Sequence, residues 1–332
     1  MRETALVTGA CGFVGSHMVE HLLRKGYRVL ATDHPRAGRE RLPQGADFIP
    51  ADLSLPSDLE PLGAFEFGRV FHIAAVFDYT ASWETLLRVN CGGTQNLLEF
   101  LAGRKGAPKS IVVWSSGSVY GRRFRKEPLK ESETPDPVNP YERSKWKQEE
   151  IALRAYFSQG MPIILVRPSA IYGPGSRYGL AVPIFMIRRG LLRFIPGDGQ
   201  VRGSFIHVED VAAAAEFLSS RPEAIGETFN LSDDSGMKIE EALLYAASLL
   251  GVRFFRVHIP LAPIRWAARL DQGFSRWLGR RPILERDLID YMGRDFWMDN
   301  SKLKSLGYRL RYPDLRSGLP GTVAWYKEQG WI

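Results

Sequence analysis

Thr8-Gly9-Ala10-Cys11-Gly12-Phe13-Val14-Gly15 lies between an apolar run, Ala5 to Thr8, and a helical pattern, Phe13 to Lys25. Glycines at such a junction let a pyrophosphate approach backbone amides and the helix N-terminus, where the peptide dipoles favour an anion. The spacing is G-x-x-G-x-x-G, one residue longer than the G-x-G-x-x-G fingerprint, so its place between strand and helix carries the reading. The loop predicts a dinucleotide site on Gly9, Cys11, Gly12, Phe13, Val14 and Gly15.

Outward from the loop, branched apolar runs recur at Arg28 to Thr32, Val70 to Ile73, Ser110 to Trp114, Pro162 to Val166 and Thr228 to Leu231. A long helical pattern, Glu142 to Phe157, separates two of them. That alternation predicts an α/β fold with a Rossmann-type doubly wound parallel sheet. From Tyr172 the regularity decays at Pro174, Pro183, Pro196 and Gly197-Asp198-Gly199. A smaller, interleaved C-terminal substrate lobe is expected there. The boundaries are 1–170 plus about 204–232 for the dinucleotide domain, and about 171–203 plus 233–332 for the lobe.

Asp33 ends the second run, where a carboxylate can accept from both ribose hydroxyls of NAD and would repel a 2′-phosphate. NAD is expected, with NADP kept open by Arg36 and Arg39 just beyond. Asp52-Leu53 is placed to meet the adenine, and Ile73-Ala74-Ala75 to bring small residues against the cofactor. His72 reads as a packed strand-end histidine.

The 332 residues carry 44 Lys+Arg against 37 Asp+Glu, a net charge of +7, with 45% hydrophobic residues. This describes a soluble globular chain and indicates neither disorder nor a nucleic-acid partner. Two cysteines, Cys11 and Cys91, make neither a disulfide framework nor a zinc cluster, and no apolar run approaches a membrane span. A cytoplasmic location is expected.

Tyr141 and Lys145 stand four apart on a helical segment and so share a face. An ammonium, together with an oxidised nicotinamide, would stabilise the phenolate and make the tyrosine an acid/base. Hydroxyls of Ser115-Ser116-Gly117-Ser118, directly after a strand, can donate to a substrate oxygen. With Asn90, Tyr141-Glu142-Arg143-Ser144-Lys145 and Arg167-Pro168-Ser169-Ala170-Ile171-Tyr172-Gly173-Pro174, these motifs resemble the extended short-chain dehydrogenase/reductase family, within the NAD-dependent epimerase/dehydratase superfamily. The resemblance covers essentially the whole chain. It implies Tyr141 as acid/base, Lys145 as its activator and Ser116 as the group that orients the reacting oxygen. It further implies cofactor contacts at His34, Arg36, Asn90, Ser115, Pro168 and Ile171, and substrate contacts at Val76, Gly117, Ser118, Ser169 and Arg202.

Nucleotide-sugar members of that family usually carry asparagine where this chain has Ala170, whereas Arg202 matches an arginine that grips diphosphate. His258-Ile259-Pro260-Leu261-Ala262-Pro263 and Asp299-Asn300-Ser301-Lys302-Leu303 look like the 3β-hydroxysteroid dehydrogenase and dihydroflavonol reductase-like branch. The resemblance therefore implies an NAD(P)-dependent oxidoreductase acting on a fairly large, apolar alcohol or carbonyl. The alternatives are a nucleotide-sugar epimerase or dehydratase with tightly held NAD, and a dinucleotide sensor without turnover. A homodimer is implied, through the helices around Gly92 to Ala102 and Tyr141 to Phe157.

His17-Met18-Val19-Glu20-His21 matches the H-x-x-E-H zinc-protease pattern, but its helix opens from the dinucleotide loop, and no metal site is expected. Trp266, Leu270, Phe274 and Trp277 recur at helical spacing beside Arg265, Arg269, Arg276 and Arg280. Lobe packing or a substrate lid is favoured for this stripe over contact with a membrane surface. Gly273 and Gly279 weaken a long helix there.

Overall fold

The computed structural model describes residues 2–121, 127–277, 289 and 293–332, with only the backbone of Arg276 and Trp277. Gly279 and Arg280 lie outside the described residues, as do the side chains of Arg276 and Trp277. Strand β5 (Ser110–Trp114) is buried at every position, so both its faces are covered by packed side chains. A continuous apolar run reads this way when helices cover both faces of a parallel sheet. Its companions are β1 (Thr4–Thr8), β2 (Arg28–Asp33), β3 (Asp47–Pro50), β4 (Arg69–His72), β6 (Ile163–Pro168) and β10 (Thr228–Leu231). The order is β10-β6-β5-β4-β1-β2-β3, and every neighbouring pair is parallel. Strand order reverses between β1 and β4, which opens a crevice beyond their C-terminal ends, Thr8 and His72.

Helix α1 (Phe13–Arg24) turns Met18, Val19 and Leu22 onto one face of the sheet, beside α6 (Val208–Ser219). On the other face lie α3 (Gly93–Ala102) and α4 (Pro140–Gln159), reached through α2 (Trp83–Leu86) and a π-helical turn, Leu87–Gly92. Helix α4 starts at a capping box: the Asn139 side chain accepts from Glu142 N–H, and the Glu142 carboxylate accepts from Asn139 N–H. Gly160 ends it at φ +66°, the left-handed conformation that favours glycine. Its inward face is polar, with Ser144, Lys145, Gln148 and Glu149 all buried. Hydrogen bonds, rather than apolar burial alone, fix where this helix sits.

Short strands β7 (Ala170–Tyr172) and β9 (Phe205–His207) pair outside the main sheet, as do β8 (Ile195–Pro196) and β11 (His258–Ile259). Around them α5 (Ala181–Arg188), α7 (Ile239–Leu250) and a C-terminal helix, Leu315–Glu328, enclose a separate core of Tyr172, Ile184, Phe205, Leu243, Leu319 and Tyr326. Between β9 and β11 the chain returns to the main sheet as α6 and β10, so the lobes interleave.

Helix α8 (Leu261–Trp277) departs from expectation. It buries Ala268 and Ser275 and leaves Trp266, Leu270 and Phe274 65%, 54% and 55% exposed. Ala268 and Ser275 take the inward side, and the three apolar side chains expected to pack inward stand on the exposed side of the helix. No described helix is long and apolar enough to cross a membrane.

Candidate active site

The glycine loop turns at Gly9 (φ +69°), where a Cβ would lie 2.8 Å from the backbone of Ala74. A Cβ on Gly15 would lie 1.9 Å from the Gly9 carbonyl oxygen. Bare backbone is therefore obligatory at both positions, and the first turn of α1 carries no side-chain cap on its amides. Asp33 closes the loop, its carboxylate accepting from Cys11 N–H and His34 N–H, each at 2.8 Å. Further acceptor sites remain on the same two oxygens for a pair of hydroxyls.

Ser116 follows β5 and caps the turn Gly117–Tyr120, its Oγ accepting from Ser118 N–H at 3.2 Å and lying 2.8 Å from Ser118 Oγ. The Ser116 side chain is also hydrogen-bonded with the hydroxyl of Tyr141, in the first turn of α4. Burial pushes the Tyr141 phenol up, and the Ser116 bond opposes it only in part. One turn on, Lys145 Nζ donates to the carbonyls of Trp114 (2.5 Å) and the Gln148 side chain. Burial brings this ammonium down to about 7 against the pull of Glu149 and Cys91. The expected lowering of the phenol's pKa is thus not met in the protein alone. Desolvation outweighs the local partners, and burial keeps the Tyr141 phenol in its neutral form.

A cavity of about 720 Å³ runs from the glycine loop past Tyr141 into the second lobe. Most residues expected at the site line it: Gly9, Gly12, Phe13, Val14 and Gly15 of the loop; Asp33, His34, Asp52 and Leu53 beyond β2 and β3; and Ile73, Ala74, Ala75 and Val76 after β4. Ser115, Ser116, Ser118, Tyr141, Lys145, Pro168, Ser169, Ile171 and Arg202 complete that set. Four expected residues stand outside the wall. Cys11 contributes its backbone to Asp33, and Arg36 N–H donates to His34 Nδ1 at 3.1 Å. Gly117 packs against Met298, whose sulfur would lie 2.5 Å from an added Cβ. Asn90 is fully buried and spends its amide on the Val76 backbone and Ser144 Oγ, so it shapes the wall from behind.

Sequence reasoning missed an aromatic collar. Phe77 lies edge-on to Tyr141, Tyr79 and Tyr178, with ring centroids 5.1 to 5.5 Å apart. The collar joins the loop after β4 to the second lobe, a meeting that no local spacing signals. Four buried polar atoms on residues of the wall, Thr32 Oγ1, Trp114 Nε1, Ser115 Oγ and Ser169 Oγ, have no hydrogen-bond partner among the described residues. Buried polar groups are nearly always satisfied, so hydroxyls such as those of Ser115 and Ser169 mark a wall with polar capacity left over. Together with the glycine cradle and Asp33, they fit a dinucleotide.

His72, His17 and His21 do not line the cavity. His72 is held between Thr8 Oγ1 (2.8 Å) and Thr94 Oγ1 (2.7 Å), with its pKa pushed down to about 3 by burial. His17 Nε2 donates to the Pro174 carbonyl, while His21 faces Glu216, so the two imidazoles serve different partners. Arg202 stacks its guanidinium 4.6 Å from the centroid of Trp297. No residue of α8 lines the cavity among the described residues.

Over 99% of its length the chain is 29% identical to mouse (Mus musculus) short-chain dehydrogenase/reductase family 42E member 1, covering 88% of that protein. It is 27% identical to a UDP-N-acetyl-alpha-D-glucosaminuronate decarboxylase of Bacillus cytotoxicus, with 99% of each chain covered. Its fold superposes on that of UDP-glucose 4-epimerase from Thermotoga maritima with a TM-score of 0.79 and 24% identity, over 98% of this chain and 99% of the other. The profile of the NAD dependent epimerase/dehydratase family matches residues 5–232, which span the glycine loop, Ser116, Tyr141, Lys145 and the last strand of the main sheet, and the chain belongs to that family of NAD-dependent enzymes.

Proposed function

We propose that this enzyme interconverts a secondary alcohol and a carbonyl on a large, apolar substrate, using NAD. The observation that carries this reading is the position of the Ser116–Tyr141–Lys145 group. It sits in one cavity between the glycine cradle and a far wall that includes Leu180, Val182, Pro183, Phe205 and Leu243. A nicotinamide bound at the crevice supplies or accepts the hydride. Ser116 orients the substrate oxygen by hydrogen bonding, and Tyr141 gives that oxygen a proton in reduction or removes it in oxidation. Lys145 holds positive charge beside the phenol and eases its ionisation. Phe77 and Tyr178, in edge contact with each other, add apolar surface to the wall beside Tyr141. Asp33 favours the free 2′-hydroxyl of NAD over the phosphate of NADP.

Arg202 in the wall supports a second reading, epimerisation or dehydration of a nucleotide sugar whose diphosphate it would bind. Absorbance at 340 nm separates the two. Purified protein with NAD or NADH is offered hydrophobic alcohols and ketones, then UDP-sugars. Net cofactor turnover with the first panel supports the oxidoreductase. No net turnover there, with altered sugar product from the second, replaces it with the alternative.

The active species is a homodimer built through α3 and α4, a pairing supported by Phe157, which is 79% exposed on α4. Phe157→Asp is expected to halve the mass seen by light scattering; a wild-type monomer removes this reading.

A further inference from the structure

Behind Lys145 lies a chain of buried side chains whose donors and acceptors can be assigned one by one. Thr8 Oγ1 accepts from both Ile73 N–H and Ala74 N–H, each at 3.2 Å, which fills its two lone pairs. Its own hydrogen must therefore go to His72 Nδ1, 2.8 Å away. His72 is then the neutral Nε2–H tautomer and donates to Thr94 Oγ1 at 2.7 Å. Thr94 Oγ1 donates to the Asn90 carbonyl at 2.7 Å, so its second acceptor site takes the Gln148 amide N–H at 2.8 Å. Gln148 thus turns its –NH₂ toward Thr94 and its carbonyl oxygen toward Lys145 Nζ. Every member is buried, and no step of the chain admits the reverse polarity without leaving a donor facing a donor.

We propose that Gln148 is a positioning residue for Lys145, with its amide orientation dictated by Thr94 and His72. Two of the three ammonium donors are held by carbonyl oxygens, those of Trp114 and Gln148, and the third is left for the cleft. The network ties the catalytic helix to β1 and β4, so the lysine and the glycine loop share one hydrogen-bonded frame. Since Thr94 collects two donors, the chain conducts no proton; it sets geometry and favours the charged form of the amine. The inference rests on the catalytic reading of Lys145, and its test reads the ammonium itself, without turnover.

The titratable groups that act on or feel Lys145 are Glu149 on its own helix, Cys91 of the π-helical turn, and His72 of β4. With these unchanged, a hydrogen bond from the ammonium to Gln148 Oε1 raises the amine's titration midpoint. Protein labelled with ¹³C at lysine Cε is titrated by NMR, with Lys145→Arg assigning the resonance. The wild-type midpoint is expected near 7. Gln148→Leu, which removes the acceptor, lowers it by about one pH unit, the size of one hydrogen bond to a charged group. Gln148→Glu, which sets a carboxylate there, raises it. In turnover, the limb on which alcohol oxidation rises with pH moves upward in Gln148→Leu, because less ammonium stabilises the phenolate. A merely structural Gln148 lowers the melting temperature in both variants and leaves the Lys145 midpoint where it was; that result overturns the proposal. Shifted midpoints in a protein that turns over no alcohol or ketone still support Gln148 and count against the redox reading alone.

Discussion

Replacing Tyr141 by phenylalanine removes one oxygen from a phenol that is hydrogen-bonded with Ser116 and packed by Phe77 and Tyr79. The ring and its contacts remain, so the cavity keeps its shape. Turnover is expected to fall by about 10²- to 10⁴-fold, the usual worth of a positioned acid/base. Binding of NADH, followed by its fluorescence, should stay about the same. A loss of binding equal to the loss of turnover would mean that Tyr141 builds the cofactor site instead. Tyr141, Lys145 and Ser116 were legible because helical spacing and a strand end put them in recognisable places. Gln148 and Thr94, and their link to His72, were not, since Thr94 is 54 positions from Gln148 and 22 from His72, and only the folded sheet brings them together.

At the scale of the element, the loop between β1 and α1 shows how little freedom the dinucleotide cradle has. Gly15→Ala places a methyl group 1.9 Å from the Gly9 carbonyl, where backbone rather than a flexible side chain must yield. The strain is expected to cost about 1–3 kcal/mol, as overpacking does elsewhere. It should also weaken NADH binding at least about tenfold, because the displaced loop no longer offers its amides. Thermal melting and a binding titration check both; a variant that melts and binds like the wild type would show the loop to be pliable. The main strands were readable because burial on both faces leaves unbroken apolar runs. Helix α8 was misread because periodicity gives the spacing of Trp266, Leu270 and Phe274 but not the direction their face points. Ala268 and Ser275, small enough for close approach, took the inward side.

Over the whole molecule, the buried histidines and carboxyls decide how folding responds to acid. His72 and His207 are each pushed down to about 3, by burial first, then by Lys145 at His72 and by His17 and Arg311 at His207. Unfolded, each takes up a proton near pH 6.5. The unfolded chain therefore binds more protons between pH 6.5 and 3, and stability present above 6.5 is lost as pH falls through that window. Asp233 opposes this: burial raises its carboxyl to about 7, so the folded state holds a proton that the unfolded state releases down to about pH 3.9. His17, lowered by burial, adds to the loss and Asp210, raised by burial, subtracts from it, so the histidines outnumber the carboxyls that oppose them and stability slopes downward as pH falls from 6.5. Carboxylates held below their usual range by cations, such as Glu3 beside Lys109 and Arg69, steepen the loss further down. Urea unfolding at a series of pH values should follow that slope, and a flat profile would show the histidines to be charged or solvated in the fold. Asp233→Asn removes one of the opposing protons, so its slope over the same window should be steeper than that of the wild type.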